Sequence, residues 1–304
     1  MTGSLCEHPN TINASNKISA TGRTPVWALA LAVIAVSFAA PFFRKAAPTP
    51  PEVSAGLRLL LAGLVLSPLT FRALRDGTLN RRVLLHACAA GLLYGLHFGA
   101  WVTSLFLTSV ASSVTLVTVN PLLLALAALV TGRDRPSGRL WLALAVATAG
   151  LLLIGGGDIT RGGDALKGDA LAILGAAAMS GYLLVGRRLG PDLPLWPFTG
   201  VATLVGGLCL MALALCRGEP LTPASWSAFG YIALAALVPQ LVGHGLITWS
   251  LRKIKPAVVA MAVVGEPVGA TVLSWWWLNE GVGALAALGC GLTLAAVVLA
   301  VKDS

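Results

Sequence analysis

The chain has 304 residues, 57% of them hydrophobic and only 11% charged, with a mean hydropathy of +0.84. An ordinary soluble domain carries roughly 25% charged residues, so the composition excludes a soluble globular fold and demands a lipid environment. The formal net charge of +9 is not read as a nucleic-acid footprint, because the basic residues are sorted among the loops by a different rule.

Residues 1–24 are polar and mixed, without the basic start, short apolar core and small-residue cleavage site of a signal peptide. They are expected to form a cytoplasmic tail, with the first helix as the retained targeting signal. The sequon Asn13-Ala14-Ser15 falls on that side and is read as chance. Crossing about 30 Å of hydrocarbon takes roughly 20 residues of helix. Apolar runs of that order lie near 26–43, 53–71, 83–106, 110–131, 140–156, 168–186, 197–216, 226–250, 256–277 and 283–301, predicting an all-α membrane protein with ten transmembrane helices. Threading these alternately through a bilayer with the N-terminus inside puts fifteen of the 21 Lys and Arg on the inner side, five outside, and Arg58 within a helix. That is the positive-inside bias, and it predicts a multi-pass inner-membrane protein with both termini cytoplasmic.

Several spans carry groups that lipid alone does not explain. Arg58 lies six residues after Glu52, about 9 Å into the second helix. Its permanent charge must snorkel outward or face an aqueous cavity, and a pairing with Glu266 is geometrically open. In the third helix Tyr94, His97, Trp101 and Ser104 share one face, and Gly91, Gly95 and Gly99 line an adjacent one suited to close packing. The aromatic and polar face suits a cavity for an aromatic, amphiphilic or cationic solute; interhelical glue, with His97 bonded to a neighbour, is the alternative. In the fourth span Ser113 shares a face with Asn120, as a gate or site contact or bonded to its own helix, and Pro121 marks a kink. Gly155-Gly156-Gly157 lacks the ending of a phosphate loop and reads as a helix exit. In the eighth, Pro239 marks a second kink, followed by a polar face of Gln240, His244 and Thr248.

Glu266-Pro267 interrupts the ninth span near mid-membrane, where an ionised side chain costs at least roughly 2.5 to 3.5 kcal/mol. Glu266 is therefore a candidate proton carrier, or else a structural carboxyl bonded to backbone freed by the Pro267 kink, around Val263. Trp275, Trp276 and Trp277 read as an interfacial belt. Asp134 and Glu280 read as helix-start charges, and Asp158, Asp164 and Asp169 as a solvated acidic loop. Cys6, Cys88, Cys209, Cys216 and Cys290 have no CxxC spacing, and those in apolar spans are expected as buried thiols. No metal site and no cofactor is expected.

The chain also repeats itself. SSVTLVTVNPLLLALAALVTGRDRP at 112–136 realigns 146 residues later with VVAMAVVGEPVGATVLSWWWLNEGV, so Asn120-Pro121 corresponds to Glu266-Pro267, Ser104 to Ser250 and Asp134 to Glu280. Arg44-Lys45 recurs as Arg187-Arg188 at an offset of 143. Five helices per copy is an odd number, so the copies insert upside down relative to one another. The expected organisation is two inverted five-helix repeats, 25–157 and 168–302. In secondary transporters built this way the substrate sits near the midplane where the repeats meet.

The runs PPEVSAGLRLLLAGLVLSP (50–68), GRDRPSGRLWLALAVATAGLLLI (132–154) and EPVGATVLSWWWLNEGV (266–282) resemble signatures of the EamA family of the drug/metabolite transporter superfamily, from about Val26 to Lys302. That resemblance implies two inverted five-helix domains, a central cavity built mainly by helices one to four and six to nine, and export of metabolites, amino acids or drugs. Two positions depart from the family pattern: Val36-Ser37 replaces a tryptophan-glycine pair, and Asn120 stands where a carboxylate is common.

The combined expectation is a proton-coupled secondary transporter, an exporter of small organic solutes. Tyr94, His97, Trp101, Ser113, Asn120, Gln240 and His244 would line the cavity, Glu266 and Arg58 would form the charge site, and Pro121, Pro239 and Pro267 would kink the helices. Its partners would be a small molecule and the lipid bilayer, without nucleic acid, and a homodimer stays open. An uptake or exchange carrier of the same fold is the alternative within transport. A non-transporting scaffold or an intramembrane enzyme is the alternative outside it; HExxH, GxSxG and paired-aspartate motifs are missing from the sequence.

Overall fold

A computed structural model describes residues 23–131, 137–155, 163–190, 193–250 and 256–301. Asp134, Asp158, the sequon, Cys6 and most of the triple glycine lie outside the described residues. The described chain is helical: α1 (Arg23–Ser37), α2 (Ala39–Lys45), α3 (Pro51–Arg75), α4 (Arg81–Leu107), α5 (Val110–Val117), α6 (Asn120–Thr131), α7 (Gly138–Gly155), α8 (Gly163–Arg188), α9 (Leu195–Cys216) and α10 (Trp226–Ala235). A π-helical segment, Ala236–His244, follows, then α11 (Gly245–Ser250), α12 (Pro256–Val263), α13 (Glu266–Leu278) and α14 (Ala284–Val301). Every apolar run read from the sequence is helical. Among the described residues seven helices are long and apolar enough to cross a membrane, and two shorter apolar ones cover Gly138–Ile154 and Ala284–Leu299.

Local chemistry sets the helix ends. Pro51 and Glu52 open α3 where a proline loses no hydrogen bond and an acid meets the positive end of the helix dipole, and Arg72 and Arg75 lie in its last turn. Asn80, Ser109 and Ser225 cap α4, α5 and α10, accepting from the amides of Val83, Ser112 and Ala228 at 3.0, 3.1 and 3.1 Å. In the loop after α3, the Thr78 amide and hydroxyl donate to Asp76 and hold its carboxyl below the usual aspartate range. Asn279 ends α13 in the left-handed conformation, at φ 56°.

Proline acts differently from the expected kinks. At both matched positions the helix stops and restarts: α5 ends at Val117 and α6 begins at Asn120, and α12 ends at Val263 and α13 begins at Glu266. Pro121 and Pro267 are each the second residue of a new helix, where the missing amide hydrogen has no intrahelical partner to lose. The backbone of the ninth-span break is tied instead by tight bonds, Val264 N to Met261 O at 3.2 Å and Gly265 N to Ala262 O at 2.9 Å. Pro239 likewise gives no simple kink. It lies in the π segment, whose wider turn accommodates a ring that would strike the preceding carbonyl of an α-helix.

The helices pack as long pairs: α3 on α9, α4 on both α8 and α9, α7 on α14, and α1 on the π segment, α11 and α13. Glycine makes the closest of these possible. A Cβ on Gly95 would meet the Gly206 backbone at 3.0 Å, and one on Gly91 would meet the Ala202 carbonyl at 2.9 Å, so the predicted glycine face of α4 is its seam with α9. The opposite surface is apolar: Ile34, Leu64, Leu92, Leu152 and Leu215 stand exposed, as a lipid-facing shell requires. Cys209 and Cys216 share that exposure. This corrects the expected burial, since an apolar span presents one side to lipid rather than to protein.

The ion pairs found among the described residues join the ends of different helices or successive turns of one. Arg217 donates to Glu52 at 3.0 Å, Arg44 pairs with Glu280 at 3.5 Å and donates to the Thr108 carbonyl at 3.1 Å, and Lys167 pairs with Asp164 at 2.9 Å. Glu280 is thus tied to the end of α2, beyond an effect on its own helix start. Asp164 and Asp169 belong to α8 instead of a free loop, and Asp169 accepts from Ser112 at 3.2 Å. Trp275 and Trp276 face outward as expected, but Trp277 turns in, edge-on to Phe42 at 5.9 Å.

Candidate functional site

The sequence predicts one polar face on the third span and another on the eighth, and the structure joins them. Tyr94 of α4 accepts a hydrogen bond from Gln240 Nε2 at 2.7 Å, and Phe98, one turn along, meets His244 edge-on at 6.3 Å. A cavity of about 50 Å³ opens beside this junction. Tyr94, Gln240, His244 and Thr248 line it, together with Met179 and Tyr182 of α8 and Trp196 and Thr199 of α9. Tyr182 stacks on Tyr94 with ring centroids 4.5 Å apart, and its hydroxyl is hydrogen-bonded to Thr199.

Four other expected cavity residues lie elsewhere. His97 Nδ1 donates to the Gly175 carbonyl at 2.9 Å, a bond that the bare glycine permits by letting α8 approach. The imidazole is therefore interhelical glue, stacked between Tyr94 and Trp101. Trp101 is buried against Phe43 and Phe98. Ser113 shares a hydrogen bond with Ser104 of the neighbouring helix instead of bonding its own. Asn120 is half-buried at the start of α6 and does not border the cavity.

Arg58 does not snorkel. It is 0% exposed, because its side chain lies on the inward face of α3, and its guanidinium carbon sits 4.3 Å from the centroid of Phe98 and 5.4 Å from that of Phe43. None of its three nitrogens has a hydrogen-bond partner among the described residues. Two cation–π contacts offset roughly 4 kcal/mol at best. Burying the ion costs about that much or more, before the unmade hydrogen bonds are counted. Glu266 lies close enough for the two charges to interact, but no hydrogen bond or ion pair joins them among the described residues. Glu266 itself is half-buried in the first turn of α13, beside Ser37 of α1.

The site thus has an aromatic and amide-lined pocket and, behind Phe98, an unneutralised cation with a carboxyl in its field. Such a constellation offers aromatic faces and hydrogen-bonding groups, and among the described residues it sets no nucleophile beside a base. Among the described residues no three His, Cys, Asp or Glu lie together to hold a metal. Tyr182, Trp196, Thr199 and Met179 had not been singled out in the sequence. The only available signal was an aromatic or polar group near the ends of α8 and α9, too ordinary to separate from packing.

A family model described as EamA-like transporter family matches residues 23–156 and again 166–302. The chain belongs to the EamA-like transporter family. EamA-like proteins are transporters, not enzymes, and this chain is a multi-pass, all-α membrane protein. Among curated proteins of Bacillus subtilis (strain 168), it is 31% identical to Uncharacterized transporter YvbV over 34% of this chain and 33% of that protein. It is 24% identical to Uncharacterized transporter YdfC over 60% of this chain and 59% of that protein. The alignments thus span about a third and about six tenths of those relatives. One solved structure, described as "Crystal structure of protein", shares the fold with a TM-score of 0.69 at 19% identity, covering 92% of this chain and 97% of that one.

Proposed function

We propose that this chain is a secondary transporter, an exporter of small organic solutes. Ten transmembrane spans form two inverted five-helix repeats, 25–157 and 168–302, with both termini on the cytoplasmic side of an inner membrane. The observation that carries this reading is the spacing of the contacts at the pocket. Tyr94 bonds Gln240 and Phe98 touches His244, and each pair is 146 residues apart, the offset that relates Asn120 to Glu266. Equivalent residues of two repeats touch one another where a pseudo-two-fold axis passes, and a transporter's site lies on that axis.

Helix pairing supports the same exchange. Counting spans, α4 on α8 (third on sixth) mirrors α1 on the π segment and α11 (first on eighth). The pairs α3 on α9 and α7 on α14 map onto themselves. The fifth and tenth spans sit together away from the pocket, and the pocket draws on the second, third, sixth, seventh and eighth. Tyr94, Gln240 and His244 act as substrate contacts, joined by Tyr182, Trp196 and Thr199. Glu266 is the coupling group, because the matched breaks differ in one titratable side chain.

The test is transport by full-length protein in sealed vesicles, offered a panel of metabolites and amphiphilic drugs under both polarities of a proton gradient. Accumulation of at least one member, reduced by Tyr94→Ala, is expected. Failure to move any member under either polarity ends the proposal.

A further inference from the structure

Arg58 is not alone in lacking a partner. Among the described residues Trp101 Nε1 is also buried without a hydrogen-bond acceptor, and the Ser54 hydroxyl, one turn along α3 from Arg58, is buried without a partner. Arg58 and Trp101 rest against the same two rings: Phe98 at 4.3 Å from the guanidinium and 5.9 Å from the indole, Phe43 at 5.4 and 5.8 Å. Both groups only donate. Buried donors are almost always matched with acceptors, so two orphan donors against the same pair of rings, one of them a fixed positive charge, mark the place of an acceptor that the described residues do not supply.

Among the described residues, Glu266 is a carboxyl near enough for its charge to act on Arg58. It approaches from the ninth span without reaching hydrogen-bond distance of any guanidinium nitrogen. Phe98 touches Tyr94 at 4.8 Å and His244 at 6.3 Å, both of which line the pocket, so one ring separates the pocket from the guanidinium. A cation entering that pocket would face Arg58; an anion would be drawn towards it.

We infer that Arg58, with the Trp101 indole N–H, is the docking point for the anionic head of the transported solute, and that the substrates are small organic carboxylates with an apolar or aromatic body. This rests on the transporter reading above and names its substrate class. The planar guanidinium takes a carboxylate through two parallel hydrogen bonds, a geometry that a point charge does not reproduce. Tyr182, Trp196 and Met179 then face the apolar body. The aromatic face of the third span, which by sequence alone suits cationic solutes equally, thus gains a sign from the residue behind it.

The experiment uses full-length protein in detergent, titrated with 3-phenylpropionate and with its neutral isostere 3-phenylpropionamide. Binding is read by calorimetry and by the shift in Tm, with sodium chloride as a separate arm. The acid is expected to bind more than roughly tenfold tighter than the amide. Arg58→Gln should abolish that preference, and Arg58→Lys should keep part of it. Trp101→Phe, which keeps an aromatic ring and removes the N–H, should weaken the acid selectively and serves if Arg58→Gln does not fold. Equal binding of acid and amide overturns the inference, as does a preference that survives Arg58→Gln. A Tm shift produced by chloride alone, with which the acid does not compete, also overturns it. The same two probes in vesicles separate the claims. Transport of acid and amide alike, indifferent to Arg58→Gln, removes the anion site and leaves the transporter; acid binding without movement of either probe does the reverse.

Discussion

The breaks in the fourth and ninth spans are built alike and furnished differently. Each stops a helix at a valine, Val117 or Val263, and restarts it after two intervening residues with a polar side chain followed by proline. Beyond the backbone the likeness ends. The ninth-span break begins with a carboxyl that interacts with Arg58 and packs against Ser37 through Gly269; the fourth begins with a neutral amide, and Leu123 stands where Gly269 does in the other copy. The two breaks share one backbone plan, and their side chains decide which of them carries charge. In this chain Arg58 comes from α3 and Glu266 from α13.

That contrast can be broken or sharpened at several strengths. The largest effect belongs to Glu266→Gln, which should lower gradient-driven accumulation at least about tenfold, as expected for the one titratable group of the matched pair. Asn120→Ala should cost less than about threefold in the same assay, having no proton to lose. Comparable losses for both would show that the breaks act through their backbone alone. Adding Asn120→Asp to Glu266→Gln should restore nothing, as expected if the coupling carboxyl works only from the ninth-span break; recovery of accumulation would refute the assignment of sides. Next comes Gly269→Val. Any Cβ there presses on Ser37, so the substitution should destabilise the protein by about 1 to 3 kcal/mol, seen as a lower Tm in detergent. Pro121→Ala and Pro267→Ala should each change stability by about 1 kcal/mol or less, and by similar amounts, since both prolines occupy first helical turns. Arg44→Gln is the mildest, at roughly 0 to 1 kcal/mol, because its pairing with Glu280 is partly exposed.

The helices were legible in the sequence because lipid imposes long apolar runs, and their ends carry ordinary signals such as Pro51, Asn80 and Ser225. The third- and eighth-span faces were legible from helical periodicity, and so was the glycine seam of α4. Periodicity cannot say what a face meets. His97 shares a stripe with Tyr94, yet it ends on the Gly175 carbonyl while Tyr94 reaches the pocket, a difference set by where α8 crosses α4. Arg58 could equally have pointed outward on sequence grounds; its inward placement depends on Phe43 and Phe98 from two other helices. The prolines were visible but misread, because a proline inside an apolar run looks the same whether it bends one helix or opens a second. The offset of 146 is readable in the sequence, and the Tyr94–Gln240 contact falls at the same spacing.

The most direct test of the coupling assignment compares two modes of transport in one vesicle preparation. A solute identified by the panel is followed by isotope exchange at equal pH on both sides, and by net accumulation under an imposed pH gradient, for wild type and Glu266→Gln. The account predicts that Glu266→Gln exchanges at close to the wild-type rate and accumulates nothing. Accumulation by Glu266→Gln at the wild-type level would contradict it.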